Sequence, residues 1–129
     1  MIGDTSFFID LIREKPEALQ KLQEIIDSEE EFKITTPTIF ELFTGAFLSK
    51  KETEYGKLKE IVQEFNIIEF DMTAAEEAAR INADLKKRGK QIESEDCMIA
   101  GIAQVHGETV LTRNVKHFGQ IPNLRVESY

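Results

Sequence analysis

The chain has 129 residues, a formal net charge of −8, 41% hydrophobic residues and one cysteine. This length favours one domain, residues 1–129, with a single core, and one cysteine excludes an internal disulfide. The acidic balance argues against broad nucleic-acid binding, although a bound metal and a local basic patch would still admit nucleic acid as a substrate. With no run of about 18 apolar residues and no basic region before the first apolar residues, we expect a cytoplasmic protein without a membrane span or secretory signal.

Short apolar runs alternate with helical periodicity along the chain. In chain order, the pattern predicts a strand over 1–3, helices over about 5–13 and 16–28, a strand over 32–35, a helix that begins at 36–37, a helix over 52–64, a strand over 67–70, helices over 71–87 and 94–106, a strand over 109–112 and an edge strand over 124–126. Small polar residues or proline are expected at helix starts, and glycine at helix ends. These markers are Thr5 or Ser6, Pro16, Thr36-Pro37, Ser94 and Gly107.

This alternation predicts an α/β fold, with a central parallel sheet of four to five short strands covered by helices on both faces. Ligands of such sheets bind beyond the carboxyl ends of the strands. Asp4 follows the first predicted strand, and Arg113 and Asn114 follow the fourth. Glu41 and Asp96 lie in helices that follow connections from the same side. The topology therefore makes it reasonable that these residues converge.

Three acidic residues lie where packing alone does not explain an acid. Asp4 follows the first strand, Glu41 interrupts the apolar residues of 39–43, and Asp96 shares a helical stripe with the apolar residues 99, 100 and 103. A carboxylate beside a core is costly unless it is paired or bound to a metal. If the three converge, they form an oxygen-rich site for a hard divalent cation, which is typical of a hydrolase.

Each acid also has a simpler explanation. Asp4 suits the N-cap of a helix, Glu41 could face solvent from an amphipathic helix, and Asp96 could favour the positive end of a helix dipole. These explanations stay open for each residue alone. The ordered set at one end of a sheet favours a common site.

Polar side chains near the strand ends could complete this site. Asn114 could hold a metal or its water, or could bond local backbone in a turn. Thr112 and Ser6 carry hydroxyls that could orient a carboxylate, although capping and local backbone bonding explain them almost as well.

Several segments occur in a characteristic order. They are 1–10 (MIGDTSFFID), 38–42 (TIFEL), 96–103 (DCMIAGIA), 109–118 (TVLTRNVKHF) and 121–126 (IPNLRV). In this order and spacing they resemble the PIN domain family, and particularly its VapC-type toxins. Any one motif is loose, but the resemblance runs from end to end.

Membership would imply a PIN-like fold and a metal-dependent endoribonuclease that uses one or two Mg²⁺ or Mn²⁺ ions. VapC-type members are usually toxins that cut RNA, are neutralised by a co-expressed antitoxin and commonly form homodimers. Carried over by motif, the catalytic set is Asp4, Glu41, Asp96 and Asn114, and the first three are the metal ligands. The family often has Asp at the fourth position, so Asn114 removes one negative charge and disfavours a second ion.

RNA would need local basic groups, because the whole chain is acidic. Arg113 and Lys116 follow the fourth strand and are the candidate substrate-binding residues. The basic run over 86–90 ends a helix, where the dipole favours Lys and Arg, and is interpreted as structural. His117 could touch substrate, but it is more typical of a turn residue beside a buried Phe118.

Two alternatives remain open from the sequence. A phosphoacceptor receiver domain would use Asp71 after the third strand, but the chain lacks the acidic pair and the lysine that such domains need. A catalytically inactive PIN-like scaffold would act only by protein binding, and Asn114 is its main support. Apolar stripes on the predicted helices over 16–28 and 52–64 could form an antitoxin groove or a dimer face, or could simply pack in the core.

Overall fold

The computed structural model describes residues 1–51 and 53–129, in which five short strands alternate with seven helices. The strands are β1 (Ile2–Gly3), β2 (Lys33–Thr35), β3 (Asn66–Ile68), β4 (Thr109–Leu111) and β5 (Arg125–Glu127). The helices are α1 (Thr5–Ile12), α2 (Pro16–Asp27), α3 (Thr36–Leu48), α4 (Glu54–Gln63), α5 (Met72–Lys87), α6 (Ser94–His106) and α7 (Val115–Phe118). Within these residues, none of the helices is long and apolar enough to cross a membrane.

The strands form one parallel sheet in the order β3-β2-β1-β4-β5. Ile2 of β1 lies opposite Lys33 of β2 on one side and Val110 of β4 on the other. The chain builds outward from β1 to β3 and then returns to add β4 and β5 on the other side of β1. This reversal puts the switch point of the strand order at the carboxyl ends of β1 and β4, the position at which open α/β sheets bind their ligands.

Helices cover both faces of the sheet, because successive strand residues point to opposite sides. Ile2 and Val110 join one apolar cluster with residues of α5 and α6. Met1 and Leu111 join another with residues of α1 and α2. The predicted parallel α/β architecture and the predicted edge position of the fifth strand, β5, are therefore confirmed.

The cap of α1 is one of the residues considered for it, and the cap of α6 differs from the predicted one. Asp4, and not Thr5 or Ser6, caps α1: its backbone is extended (φ −81°, ψ 177°) and its carboxylate accepts a hydrogen bond from the backbone N–H of Phe7 at 3.0 Å. Ser94 is the first residue of α6 rather than its cap. The predicted caps Thr5 or Ser6 and Ser94 are wrong, and the N-cap interpretation of Asp4 is confirmed, because the last residue with the extended backbone that a cap requires precedes Thr5 and Ser94.

The boundaries of the other helices agree with the sequence pattern at some positions and differ from it at others. Thr35 rather than Thr36 caps α3, and the pattern does not predict α7, which has four residues and is too short to show periodicity. The predicted helix over 52–64 begins at Glu54, and residue 52 lies outside the described residues. Gly107 ends α6 as predicted, with φ 65°, a left-handed conformation that glycine adopts without steric cost.

Helices α5 and α6 approach each other closely at Gly101. A Cβ atom on Gly101 would lie 2.7 Å from the backbone nitrogen of Ala78 and 2.8 Å from the carbonyl oxygen of Ala74. Both obstacles are backbone atoms, so neither can move aside by changing a rotamer. Because α6 carries Asp96 in its first turn, this packing also helps to set the position of that acid.

We predict that Gly101→Ala lowers the free energy of unfolding by about 2–3 kcal/mol, because the methyl group overpacks the α5–α6 contact. Urea unfolding measures this change. Gly45→Ala is the matched control, since a Cβ there would meet nothing within 4 Å, and it should stabilise α3 by about 0.5–1 kcal/mol. Equal stability of Gly101→Ala and the parent would contradict the close approach.

Candidate active site

The predicted acids converge where the two central strands end. Asp4 directly follows β1 and Thr112 directly follows β4, and the backbone N–H of Asp4 donates to the carbonyl of Leu111 at 3.0 Å. Glu41 reaches this region from α3 and Asp96 from α6. Burial raises the pKa of both Glu41 and Asp96, and the negative charge of Asp4 raises both further. The structure therefore brings the three acids within electrostatic range of one another.

Asp4 is 3% exposed, and both of its carboxylate oxygens accept hydrogen bonds. Oδ1 accepts from Ser6 Oγ at 2.7 Å and from the backbone of Phe7, while Oδ2 accepts from Thr112 Oγ1 at 2.5 Å. Burial raises the pKa of Asp4, and these donors oppose the increase because they stabilise the ionised form. Capping of α1 and orientation by two hydroxyls thus coexist at one side chain.

Glu41 is partly buried on α3 and accepts a hydrogen bond from Thr5 Oγ1 at 2.5 Å. Burial raises the pKa of Glu41, the bond from Thr5 lowers it, and the charges of Asp96 and Asp4 raise it again. A glutamate that simply faced solvent would have none of these neighbours, so the solvent-facing interpretation does not hold.

Asp96 is connected to Asn114 through His117. The Asp96 side chain is 15% exposed, and Nδ1 of His117 lies 3.2 Å from its Oδ2 and 2.6 Å from Nδ2 of Asn114. The backbone N–H of Asn114 donates to Thr112 Oγ1 at 2.8 Å, and that hydroxyl donates to Asp4. Burial raises the pKa of Asp96 and the contact with His117 lowers it. A continuous series of contacts thus joins two of the three acids.

The two predicted substrate-binding residues occupy different positions. The Arg113 side chain is 49% exposed, and its Nε lies 3.0 Å from Oδ2 of Asp10. Its positive charge opposes the burial that raises the pKa of Asp4, so it lies close to the acids. Lys116 is exposed on the short helix α7. Arg113 therefore belongs to the site, and Lys116 is a surface charge on the next element.

Two contacts to the acids come from residues that the sequence pattern assigned to other roles. Thr5, expected as a cap, donates to Glu41, and His117, expected as a turn residue, contacts Asp96. The available signals are weak: Thr5 adjoins Asp4, and His117 lies three residues after Asn114, the spacing of about one helical turn. The sequence pattern does not predict α7, so it gives no reason to expect the imidazole of His117 beside Asp96.

The oxygen atoms of this set suit Mg²⁺ or Mn²⁺, which bind carboxylate and amide oxygens. In the part of the chain that the structure describes, no three acidic, histidine or cysteine side chains are arranged to hold a metal ion as they stand. Burial is the largest cause of the raised pKa values of Glu41 and Asp96, and repulsion between carboxylates raises them further. A divalent cation would relieve this repulsion. Donor chemistry and charge therefore fit a divalent cation, whose binding would have to draw the side chains together.

Asp71 lies away from this site. It follows β3, which is an edge strand, and it caps α5 by accepting from the backbone N–H of Ala74 at 2.9 Å. The central strand is β1, and its carboxyl end carries the single acid Asp4. The phosphoacceptor receiver alternative is therefore wrong.

The parallel order β3-β2-β1-β4-β5, with acids gathered beyond β1, defines the class of this protein. Residues 1–124 match the PIN domain model. The chain belongs to the PIN domain family, as the ordered motifs predicted.

Relatives within the family are similar over nearly their whole length. The tRNA(fMet)-specific endonuclease VapC of Salmonella typhimurium (strain LT2) is 30% identical over 127 residues, which cover 98% of this chain and 95% of the relative. A chain of VapBC2 from Rickettsia felis, in a crystal structure bound to a DNA fragment from their promoter, has a TM-score of 0.89 at 26% identity and covers 99% and 97% of the two chains. A chain of DNA-bound VapBC from Salmonella typhimurium has a TM-score of 0.87 at 29% identity, with coverage of 98% and 96%. The resemblance to VapC-type proteins is thereby confirmed.

The raised carboxylate pKa values predict a pH-dependent cost to stability. Burial, and for Glu41 and Asp96 also neighbouring charge, raises the folded pKa above its unfolded value, so these acids favour folding when protonated. Their contribution is fully present below the unfolded pKa values of about 4 and is lost as the pH rises through the folded pKa values. At pH 7, without metal, the ionised acids therefore destabilise the fold.

We predict that Asp96→Asn raises the free energy of unfolding at pH 7 in EDTA by about 0.5–2 kcal/mol, as replacement of strained functional residues commonly does. The gain should disappear as the pH falls towards about 4, where the parent is protonated too. Urea unfolding across this pH range measures it. Glu93→Gln, an exposed acid before the same helix, should change stability by less than about 0.5 kcal/mol. A less stable Asp96→Asn at pH 7 would contradict the prediction.

Proposed function

We propose that this protein is a metal-dependent endoribonuclease that acts as the toxin of a toxin–antitoxin pair. The observation that carries the proposal is the convergence of Asp4, Glu41 and Asp96 near the carboxyl ends of β1 and β4, where burial raises the pKa of each. An inactive protein-binding scaffold has no use for partly buried carboxylates that cost stability. The endonuclease and VapBC names of the relatives support the same conclusion.

The proposed cofactor is Mg²⁺ or Mn²⁺, as one or two ions. Asp4 and Asp96 are the proposed direct ligands, and Glu41 binds directly or through water. When bound, such an ion makes water a better nucleophile and offsets the charge that develops on a phosphate. Thr112 and Ser6 hold the Asp4 carboxylate by their hydroxyl groups, and the backbone N–H of Phe7 donates to it as well. This leaves one of its roughly four lone-pair sites, on Oδ2, for an ion.

The other residues orient groups or supply charge. Glu41 accepts a hydrogen bond from Thr5 at 2.5 Å, and its proposed role is to orient the attacking water and take its proton. Asn114 is neutral and contacts His117 next to Asp96, so this position supports one ion better than two. Arg113 supplies N–H donors and positive charge for a phosphate oxygen.

The proposed substrate is RNA, in keeping with the cytoplasm as the place of action. One relative is named for its action on tRNA(fMet), so tRNA is the first substrate to test. The net charge of −8 would repel a polyanion from most of the surface. Attraction must therefore come from a small region, and Arg113 and Lys116 are the proposed contacts.

An exposed aromatic face on α3 is the proposed docking surface for the antitoxin. Phe40 and Phe47 are 62% and 68% exposed, and Leu48 is 81% exposed. The ring of Phe47 stacks on Tyr55 of α4 with 4.8 Å between centroids, and Phe43 meets Tyr55 edge-on at 5.1 Å. Contiguous apolar surface of this kind marks sites of protein–protein contact.

The helices over 16–28 and 52–64 were the first candidates for partner binding, and they differ in how much apolar surface they expose. Leu58 and Val62 of α4 are buried in the core, so the apolar stripe of that helix packs internally. Helix α2 exposes Leu19 and Ile26, at 45% and 58%. We propose this part of α2 as the contact with a second copy in the expected homodimer, and light scattering after size exclusion tests that assembly.

We predict that the wild-type protein binds Mn²⁺ and that Asp96→Asn abolishes binding, because the variant loses a ligand and its charge. Calorimetric titration measures this. Mg²⁺-dependent cleavage of initiator tRNA should fall by more than about 100-fold in the variant, since even the outer partners of metal ligands are worth about 10–100-fold.

The matched control for this experiment is Asp84→Asn. Asp84 is paired with Arg88 on the surface of α5, so the same chemical change there should leave Mn²⁺ binding and cleavage as in the wild type. Absence of Mn²⁺ binding in the wild type would refute the metal proposal. Equal tRNA cleavage by the wild type and Asp96→Asn would refute the catalytic site.

We predict that Phe47→Ala weakens binding of the cognate antitoxin by about 10-fold or more, because it removes an aromatic anchor from the docking surface. Calorimetry with the purified antitoxin measures the affinity. Met72→Ala on α5 is the control, since Met72 is 86% exposed but lies outside this aromatic face. Equal affinities of the two variants would contradict the assignment of the surface.

A further inference from the structure

A buried acid outside the proposed catalytic set lies behind Arg113. Asp10 of α1 is 2% exposed, and its Oδ2 lies 3.0 Å from Nε of Arg113 and 2.9 Å from the hydroxyl of Tyr129. Lys15 Nζ lies 3.9 Å from Oδ1, which accepts no hydrogen bond from the described residues. A buried carboxylate is costly unless it is paired, and Arg113 and Tyr129, with the more distant Lys15, are the groups that compensate the burial of Asp10.

Arg113 is anchored at two points and still has donors to offer. Its Nε pairs with Asp10, and its backbone N–H donates to Ser6 Oγ at 3.2 Å, the hydroxyl that in turn donates to Asp4. The side chain is 49% exposed, and within residues 1–51 and 53–129 its two Nη groups have no hydrogen-bond partner. An arginine held by one edge and open at the other is suited to bind a phosphate.

Tyr129 contacts the same carboxylate of Asp10 that pairs with Arg113. Its ring packs edge-on against Phe7, with 4.9 Å between centroids, so the position of the hydroxyl is set by packing. The hydroxyl donates to Oδ2 of Asp10, the same oxygen that Arg113 contacts. Loss of the hydroxyl would leave the ring in place and would free the carboxylate to rotate away from the guanidinium.

We propose that Asp10 and Tyr129 are positioning residues that hold the guanidinium of Arg113 beside Asp4, so that its free N–H groups bind a phosphate of RNA. The proposal rests on the ribonuclease function proposed above and explains how an acidic chain holds RNA at its site. The competing explanation is purely structural. In that case the same contacts only fasten the segment after β5 to α1, and they do not influence RNA affinity.

The test is a double-mutant cycle of Tyr129→Phe and Arg113→Gln, with affinity for fluorescently labelled tRNA measured by anisotropy in EDTA to prevent cleavage. Tyr129→Phe keeps the ring against Phe7 and removes only the hydroxyl. We expect about fivefold weaker binding for Tyr129→Phe and a larger loss, of about tenfold or more, for Arg113→Gln. Adding Tyr129→Phe to Arg113→Gln should cause no further loss, because Tyr129 acts through Arg113.

Arg80→Gln controls for net charge, since it removes an arginine from a surface ion pair with Glu76 and should change affinity by less than about twofold. Additive losses in the cycle, or unchanged affinity of Tyr129→Phe, would overturn the proposal and leave Asp10 as a structural ion pair. If the wild type binds tRNA without cleaving it in Mg²⁺, the ribonuclease proposal fails while a coupled cycle still supports the positioning role. A wild type that binds no tRNA overturns both.

Discussion

The buried carboxylate of Asp4 is the group on which the arrangement of the site depends. Asp4 directly follows β1 and caps α1, and its carboxylate accepts a hydrogen bond from the hydroxyl of Thr112 at the end of β4. A strand, its following helix and the neighbouring strand therefore meet at one side chain. The burial of this acid is tolerated because hydroxyl and backbone donors surround both of its oxygens. Any shift of β1 against β4 would displace the first acid of the site.

The rest of the fold holds the other acids in place against their own repulsion. Glu41 is carried by α3, and Asp96 by α6, whose close contact with α5 at Gly101 leaves it little freedom. Burial is the largest cause of the raised pKa values, and mutual charge adds to it. Packing elsewhere in the protein maintains an active site of this kind. A divalent cation would neutralise the carboxylates that repel one another, and the relief of this repulsion would favour its binding.

Much of the fold and the three acids could be predicted because their signals are local. Strand and helix periods are visible within a few residues, and Glu41 or Asp96 stands out as an acid among apolar neighbours. The hydroxyls of Ser6 and Thr112 could also be predicted as partners of a carboxylate, because they lie near the strand ends. Other contacts of the site have no such signal. The hydroxyl of Tyr129 contacts Asp10 across 119 positions of sequence, and His117 faces Asp96 only because a helix of four residues turns it back.

By itself, the sequence determined the alternation of strands and helices, the order of the acidic motifs and, through them, membership of the PIN domain family. Only the tertiary structure decided that β1 is central, that Asp4 serves as both cap and site residue, and that Arg113 is tied to Asp10. The physical reason is the distance along the chain over which each property is determined. Periodicity and motif order are properties of neighbouring residues, whereas burial, hydrogen-bond partners and pKa shifts arise from contacts between segments that are distant in the chain.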